Sequence, residues 1–413
     1  MQRLKGKQAK RYGIPDGMAL LLILAAPIGY AFAVDAPAGF DNLTNGFEAQ
    51  AQMDLDRANF DSVEEIADGL GPVYNAQACR ECHQNPVSGS SSQILETRAG
   101  STSGSTFTDH VGGSLLNNRA INANIQERIL GTDNTSTFRS SLTILGDGFV
   151  EALPDSFFTN AQATQSAAGL NPGTVIRVPI GEAPAGTTRI GRFGWKNQHA
   201  SLLSFAADAY LNEMGITSPL QPTENTHDGQ SVAAFDTVPD PEDPATPANP
   251  FGTDIAAFVR FMRSTKVPPR DTVLAATSDA IAGATIFHNI GCDLCHVQNG
   301  TTVAAGTVLN GTNYTVPAAI GTKVIHPYSD FLLHDVGTGD GIVQNGGAVS
   351  RTKMRTPPLW GMRARNMLLH DGRFETRNFG IQDHFGDANP VIVNYLNLSV
   401  TQANQLITFL NSL

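Results

Sequence analysis

Hydrophobic positions repeat at helical spacing in two segments of the second half of the chain. The first predicted helix follows Asp254, which can cap it, and its apolar face consists of Ile255, Phe258, Val259 and Met262. The second predicted helix closes the chain, with apolar positions at Ala403, Leu406, Ile407, Leu410 and Leu413. Between them, the segment SDAIAGATIFHNIGCDLCH (278–296) predicts a further helix.

The N-terminal segment has the pattern of an export signal. Five basic residues precede an apolar stretch from Met18 to Ala33, and this stretch ends in Ala31-Phe32-Ala33, an A-x-A cleavage site. The apolar run is shorter than the roughly 20 residues that a membrane-spanning helix needs. We therefore expect a signal peptide over 1–33 and a periplasmic mature protein, and an uncleaved membrane anchor is the alternative.

Two polar segments predict irregular structure. Residues 86–106 are rich in Ser, Thr and Gly and predict a surface loop. Residues 221–253 contain the acidic, Pro-rich run VPDPEDPATPANP, which is incompatible with regular structure. We expect this run to be a linker between an N-terminal domain (34–220) and a C-terminal domain (254–413). A long excursion within one domain is the alternative.

The four cysteines form two C-x-x-C pairs, and a histidine directly follows each pair. The motifs are CRECH, with Cys79, Cys82 and His83, and CDLCH, with Cys292, Cys295 and His296. Two thiols three positions apart can each add to a haem vinyl group, and the next histidine then lies under the iron as proximal ligand. A zinc site, a disulfide framework and a thioredoxin-like redox motif fit this spacing less well. We therefore predict two covalently bound c-type haems.

The net charge limits the possible partners of the protein, and the layout of the predicted helices indicates its fold class. The formal net charge is −11, which excludes nucleic acid as a partner because phosphate binding needs a basic face. It is compatible with electrostatic docking of a small, basic electron carrier. A helix leading into C-x-x-C-H, together with a closing amphipathic helix, is the layout of a cytochrome c domain. The predicted fold class is therefore mainly α, with two cytochrome c-like haem domains, long loops and a few short strands.

Several motifs between and after the haem motifs resemble a known family. Two haem motifs followed by RTPPLWG and LHDGR are similar to the bacterial di-haem cytochrome c peroxidase superfamily. Within it, GRFGWKNQHASL (191–202), NEMGITSPL (212–220) and RTPPLWGM (355–362) resemble the branch called di-haem oxidoreductases, or thiol oxidoreductases. The resemblance covers roughly residues 65–413. It implies that the haem of the N-terminal domain reacts with peroxide and that the other haem transfers electrons.

The resemblance also implies roles for individual residues. Glu213 would be the general acid–base on the distal side of the first haem, with Glu151 as the other candidate. Trp195 would lie between the two haems, near a calcium ion for which backbone oxygens around Thr356 and Pro357 are candidates.

Further residues are candidates for the axial and propionate positions of the haems. We expect His384 to be the sixth ligand of the second haem, with Met354 as the alternative, and His110 is a candidate distal ligand of the first. Some arginines are expected to pair with haem propionates: Arg355, Arg363, Arg365 and Arg373.

The sequence therefore predicts an enzyme, most plainly a peroxidase that reduces hydrogen peroxide with electrons from a small cytochrome or cupredoxin. Two alternatives stay open at this point. One is a di-haem oxidase or oxygenase that acts on another substrate. The other is a di-haem electron carrier without catalysis, in which both irons are six-coordinate. An open iron coordination site would separate this carrier from the two enzymes.

Overall fold

The structure, a computed structural model, describes residues 33–413, which form one compact unit. The signal peptide predicted at 1–33 lies outside the described residues except for its last position, so it stays a prediction. No helix within 33–413 is both long enough and apolar enough to cross a membrane.

Helices account for much of the described chain, and most are short. Eleven α-helices occur in 33–413: α1 (Gln50–Asp61), α2 (Cys79–Cys82), α3 (Asp147–Glu151), α4 (Asp155–Ala167), α5 (Leu202–Met214), α6 (Thr253–Ser264), α7 (Thr272–Ala275), α8 (Ser278–Asn289), α9 (Arg377–Gln382), α10 (Asn389–Leu396) and α11 (Val400–Asn411). The predicted helices of the C-terminal half correspond to α6, α8 and α11, but α8 ends at Asn289 and does not continue to His296 as predicted. The cap of α6 differs from the prediction, because Asp254 lies inside its first turn and Gly252 is at the N-cap position.

Strands are more numerous than predicted. The described residues contain β1 (Val34–Asp35), β2 (Val73–Tyr74), β3 (Leu95–Ser103), β4 (Thr106–Thr108), β5 (Leu115–Leu116), β6 (Arg119–Ala120), β7 (Thr135–Ser140), β8 (Arg177–Pro179), β9 (Thr188–Ile190), β10 (Gly300–Thr301), β11 (Val308–Leu309), β12 (Tyr314–Thr315), β13 (Lys323–Ile325), β14 (Leu333–His334) and β15 (Met354–Arg355). Short strands were expected, but the content is mixed rather than mainly helical.

The prediction of a surface loop at 86–106 is wrong for its second half. β3 pairs antiparallel with β4, β5 and β7, and together they form a four-stranded sheet. Its pairing with β7 runs from Leu95 opposite Ser140 to Gly100 opposite Thr135. Threonine is β-branched and suits a half-buried strand. Its polar hydroxyl made the segment resemble a loop.

The two halves of the chain share one core. Helix α6 packs against α1 and α5, so it lies with the first half, whereas the sequence-based division assigned it to the C-terminal domain. The Pro-rich stretch is irregular, as predicted, but it is packed on the protein. Asp243 within it is fully buried, and its carboxylate accepts hydrogen bonds from the backbone N–H groups of Thr253, Asp254 and Ile255. These three hydrogen bonds satisfy backbone N–H groups at the start of α6.

The second half is built around α8 and α11, which pack closely against each other. The close approach depends on Gly283, because a Cβ there would lie 2.0 Å from the backbone carbonyl oxygen of Gln405. Phe287 on α8 and Phe409 on α11 meet with ring centroids 5.2 Å apart. This aromatic contact belongs to a cluster that positions the second C-x-x-C-H motif.

Candidate active site

The first C-x-x-C-H motif opens into a cavity of about 800 Å³, a size within the usual range of ligand pockets. Cys79, Cys82 and His83 all line this cavity. Both thiols are free in the short helix α2, and the Nδ1 atom of His83 lies 3.2 Å from the carbonyl oxygen of Ser90. Burial lowers the pKa of His83 to about 4, so the ring is neutral and able to bind a metal.

Helix α5 brings Glu213 to the same cavity. The helix begins at the N-cap Ser201, whose side chain accepts hydrogen bonds from two backbone N–H groups, and it ends at Gly215 in the left-handed conformation. The backbone carbonyl of Glu213 accepts hydrogen bonds from the N–H groups of Asn75 and Ala76. The end of α5 is thereby held against the chain that leads into Cys79. The prediction that Glu213 lies near the first haem motif agrees with this geometry.

A second carboxylate, Glu96, faces Glu213 across the cavity wall. The Glu96 carboxylate accepts a hydrogen bond of 2.7 Å from Arg98. Burial opposes its ionisation, but the guanidinium of Arg98 outweighs burial and the pKa of Glu96 is lowered. Burial, followed by the negative charge of Glu96, raises the pKa of Glu213 well above its ordinary value. Of the two carboxyl groups, Glu213 is therefore the one that keeps its proton, and it keeps it to higher pH than an ordinary glutamate does.

Sequence reasoning missed Glu96 and Arg98. Both lie on β3, within the stretch that looked like a polar loop, and they alternate with Thr97 on a strand. A Glu-x-Arg pair on a strand places both side chains on one face, because side chains alternate with a period of two. Recognising the strand would have been the signal that these two charges act together.

Trp195 lies in the wall of the cavity, with its ring largely buried. Its Nε1–H donates a hydrogen bond of 2.7 Å to the carbonyl oxygen of Ser140. Its ring meets His370 edge-on. His370 is buried, and neither ring nitrogen has a hydrogen-bond partner in the described part of the chain. The LHDGR motif was noted in the sequence, but the position of His370 beside Trp195 was not predicted.

The second motif places Cys292, Cys295 and His296 beside the aromatic cluster of α8 and α11. The Nδ1 atom of His296 lies 3.0 Å from the carbonyl oxygen of Tyr328. His384 follows α9, and its Nδ1 atom lies 2.8 Å from the carbonyl oxygen of Gly380. Each imidazole thus keeps Nε2 for a metal, since a backbone carbonyl fixes the tautomer through Nδ1.

The rings of His296 and His384 are close enough to interact electrostatically. Burial, followed by the proximity of His384, lowers the pKa of His296 to about 4. Burial also lowers the pKa of His384. Met354, the alternative ligand, is buried on β15 opposite His334. The geometry favours His384, which remains a prediction as ligand.

The residues around both motifs fit haem groups. All four thiols are unpaired, and the two histidines that follow them are neutral. Burial lowers the pKa of Arg355 to about 10, and burial also lowers that of Arg365 to about 10. Such cations would be stabilised by the carboxylates of haem propionates. Arg363 and Arg373, by contrast, are exposed.

Two sequence-based candidates are engaged elsewhere. The Glu151 carboxylate is fully buried and binds Arg263 through hydrogen bonds of 2.7 and 3.0 Å. Glu151 does not line the cavity in the described structure, so the geometry brings Glu213 and not Glu151 to the first haem motif. The Nε2 atom of His110 lies 2.6 Å from Asp133, and His110 also does not line the described cavity. It is therefore not placed as a distal ligand of the first haem.

The calcium ion implied by the resemblance stays a prediction. The carbonyl oxygen of Thr356 accepts a hydrogen bond of 2.6 Å from the hydroxyl of Ser329. A carbonyl has two lone pairs, so this bond leaves one for another partner.

A comparison with models of known protein families identifies the family of the chain. The family model described as "Di-haem oxidoreductase, putative peroxidase" matches residues 115–413, a range that contains Trp195, Glu213 and the second haem motif. The first motif precedes the matched range. No curated protein sequence matches the chain.

Several solved structures are similar to the chain at low identity. Hydrazine synthase of Kuenenia stuttgartiensis is 14% identical, with 99% of this chain and 100% of that chain covered and a TM-score of 0.43. A MauG-like protein associated with microbial copper homeostasis is 15% identical, covering 93% of each chain at a TM-score of 0.40. A variant of the diheme peroxidase BthA from Burkholderia thailandensis is 15% identical, covering 38% of this chain and 49% of that chain at a TM-score of 0.25. On the match of the family model, the chain belongs to the di-haem oxidoreductases, enzymes with two haem cofactors.

Proposed function

We propose that this protein reduces hydrogen peroxide to water with electrons from a small redox protein, and that both haems are attached covalently through the C-x-x-C-H motifs. One observation carries the proposal: Glu213, with its raised pKa, lines the same cavity as Cys79, Cys82 and His83. A carboxylic acid that keeps its proton at neutral pH can act as a general acid.

The haems, when bound, supply the redox chemistry of the reaction. The chain itself manages the protons. Reduction of one peroxide molecule consumes two electrons and two protons, and the O–O bond breaks to leave two water molecules. Glu213, which already holds a proton, would donate it to the departing oxygen as the O–O bond breaks, and the resulting carboxylate would accept the proton that the other peroxide oxygen gives up. Asn75 holds the Glu213 carboxyl through a hydrogen bond of 2.9 Å, which fixes its orientation at the cavity wall.

Glu96 tunes Glu213 rather than replacing it. Its negative charge is maintained by Arg98, and this charge disfavours a second negative charge on Glu213. Glu213 therefore stays protonated at pH values where an ordinary glutamate is ionised. This is the usual arrangement of two carboxylates whose environments move their pKa values apart.

We assign electron entry to the second motif. His296 and His384 would both hold the second haem, because each has its Nδ1 atom beside a backbone carbonyl oxygen and its Nε2 atom available. With both histidines engaged, this haem would supply electron transfer rather than a site for peroxide. Trp195 lies in the wall of the first cavity and is in contact with His370, which supports its role in electron transfer between the motifs.

The proposed setting is the periplasm, with a basic cytochrome or cupredoxin as electron donor. The N-terminal signal pattern and the net charge of −11 support this setting and this partner. Exposed apolar side chains on α10, Val393 and Leu396, lie near the second motif, because the neighbouring Asn394 donates a hydrogen bond to the carbonyl of Ile290. A small exposed apolar patch suits a transient redox partner, and the net charge of −11 suits a basic one.

The test is peroxide consumption by the haem-loaded protein with a reduced small cytochrome as donor. Glu213→Gln removes the ionisable proton but keeps the shape of the side chain, and we expect it to lower kcat/KM by about a hundredfold or more. Glu64→Gln is the matched control. Burial raises the pKa of Glu64 to about 7, but Glu64 does not line the described cavity. Absence of peroxide consumption by the native protein, with both haems unreactive, would leave a di-haem electron carrier as the better account.

A further inference from the structure

Two histidines and an aspartate from three distant segments meet at one point beside the cavity. His110 follows β4, Asp133 precedes β7, and His227 lies in the irregular stretch before α6. One ligand atom of each lies within 4.8 Å of the other two. The two imidazole rings lie 3.9 Å apart between centroids.

His227 has a buried ring nitrogen that no hydrogen bond within the described chain satisfies. Its side chain is 1% exposed, and its Nδ1 atom lies 3.0 Å from the carbonyl oxygen of Gly113 and 3.1 Å from that of Leu115. These two acceptors place the ring proton on Nδ1. The Nε2 atom is then a lone-pair donor, and it has no hydrogen-bond partner in the described chain. It points toward Asp133, at 4.0 Å from the carboxylate.

An unprotonated nitrogen cannot donate a hydrogen bond to a carboxylate. His227 and Asp133 are therefore two electron-pair donors that face each other in a buried place, which is unfavourable unless a cation lies between them. His110 lies on the same side, with its Nε2 atom 2.6 Å from the carboxylate of Asp133 and a side chain that is 15% exposed. This nitrogen donates a hydrogen bond to Asp133 when it carries the ring proton, and it offers a third electron pair to an ion when the proton is on Nδ1. The partial exposure of His110 leaves a route for an ion and a water molecule.

The surrounding backbone holds the three segments together. The N–H of Gly112 donates to the carbonyl of His227, and the side chain of Asn225 donates to the carbonyl of Gly112. A Cβ at Gly112 would lie only 1.9 Å from the carbonyl oxygen of Thr226, so only glycine permits this approach. Asp133 is fixed as well, because its second oxygen accepts a hydrogen bond of 2.8 Å from the N–H of Leu130. The donor set is therefore largely preorganised.

We propose that His110, Asp133 and His227 form a binding site for a divalent first-row transition metal ion, with zinc as the reference ion and a water molecule in the fourth position. Two imidazoles and one carboxylate without sulfur suit zinc and its neighbours rather than calcium or magnesium, which prefer oxygen ligands. Zinc binds nitrogen and carboxylate oxygen at about 2.0–2.2 Å. The present separations need only a small adjustment to reach such distances.

A metal ion bound at this site would stabilise the wall of the first cavity. Asp109, Gly112 and Asn225 line the cavity, and each is in or next to a segment that carries a ligand. A bound ion would cross-link the loop after β4 to the irregular stretch before α6. We therefore expect metal binding to raise the thermal stability of the protein, since an ion that binds only the folded state stabilises it.

The experiment uses the untagged full chain carrying both haems, freed of loosely bound metal with a chelator and titrated with zinc by calorimetry. We expect one zinc per chain, and X-ray absorption at the zinc edge should give nitrogen and oxygen neighbours without sulfur. His110→Gln and His227→Gln should each weaken zinc binding by at least about a hundredfold, because losing an outer-shell partner alone typically costs 10–100-fold. Zinc should raise the Tm of the native chain and not that of these variants.

His326→Gln is the matched control. His326 is exposed, and its Nε2 atom lies 3.3 Å from Asp35, but it belongs to no three-residue group within the described chain. The His326→Gln variant should bind zinc with the same affinity as the native protein. Absence of one-to-one zinc binding, sulfur in the absorption spectrum, or unchanged affinity in His110→Gln would overturn the proposal. Because His110 is partly exposed, its variant remains informative even if His227→Gln fails to fold. None of these measurements depends on peroxidase activity.

Discussion

The ring of Trp195 meets the ring of His370 edge-on, with centroids 6.1 Å apart and planes inclined by 74°. The backbone reinforces this contact, because Trp195 donates to the carbonyl of Ser140 and the N–H of Ser140 donates to the carbonyl of His370. The two rings therefore connect the wall of the first cavity to the LHDGR motif of the second half.

Replacing Trp195 with phenylalanine should lower peroxide turnover several-fold and leave the KM for peroxide nearly unchanged. Phenylalanine keeps the bulk of the ring but loses the Nε1–H donor and part of the π surface that touches His370. Steady-state kinetics with a saturating electron donor measures both constants. Trp360→Phe is the control, since Trp360 is equally buried but does not line the described cavity. Equal losses in both variants would argue for a general packing effect.

The pH dependence of kcat/KM should report the proton shared by Glu213 and Glu96. The active form of Glu213 is protonated, so activity should be present at low and neutral pH and fall as the pH rises through its raised pKa. Glu96→Gln removes the negative charge that raises this pKa. The descending limb of the profile should therefore move to lower pH in Glu96→Gln. A limb that stays in place in this variant would exclude Glu213 as the titrating group.

His384→Ala should open a coordination position at the second haem. We expect the optical spectrum of that haem to change from low-spin to high-spin, whereas His384→Met should keep it low-spin and raise its reduction potential, as a methionine ligand does relative to histidine. Met354→Leu is the matched test of the alternative ligand. If Met354→Leu changes the spectrum and His384→Ala does not, Met354 is the ligand.

Each C-x-x-C-H motif should hold one haem covalently. The double variant Cys79→Ser, Cys82→Ser is expected to retain one haem after denaturing electrophoresis, and the corresponding change at Cys292 and Cys295 is expected to do the same. Mass spectrometry of the denatured chains counts the attached haems. Each variant serves as a control for the other, because the untouched motif should stay loaded. Complete loss of haem from the denatured native chain would contradict covalent attachment.

Asp340 should be important for stability. Its carboxylate lies 2.7 Å from Arg139 and 2.8 Å from Lys196, and all three side chains are almost fully buried. Asp340→Asn leaves two buried cations without their counter-ion, so we expect a loss of about 3–5 kcal/mol in the free energy of unfolding. Denaturant-induced unfolding measures this loss of free energy. Asp54→Asn, at an exposed ion pair with Arg57, should cost less than about 1 kcal/mol.

The same ion pairs predict a pH dependence of stability. Burial opposes the ionisation of Asp340, but Arg139 and Lys196 outweigh it and lower its pKa from 3.8 to about 2. The stabilisation is complete above the unfolded value of 3.8 and is lost as the pH falls toward 2. The native protein should therefore lose stability across this range more steeply than Asp340→Asn. Equal slopes would indicate that Asp340 does not retain its charge in the folded state.

The local chemistry of this protein was readable from the sequence because it depends on residues that are neighbours in the chain. C-x-x-C-H needs only one helical turn to present Cys79, Cys82 and His83 together, and helical periodicity located α6 and α11. The motif around Glu213 likewise pointed, by resemblance, to a side chain that the structure brings to the cavity of the first haem motif. The two-haem assignment therefore needed no knowledge of the fold.

Tertiary structure decided which distant residues share a site. Glu96 became the partner of Glu213 because β3 pairs within a sheet, and the threonines of β3 had made it look like a loop. Glu151 looked like a catalytic carboxylate and proved to be the partner of Arg263. His110 lies beside Asp133 and His227 because segments that are far apart in the chain are in contact. Sequence patterns describe what a short segment can do, but burial, charge pairing and pKa depend on packing that only the folded chain creates.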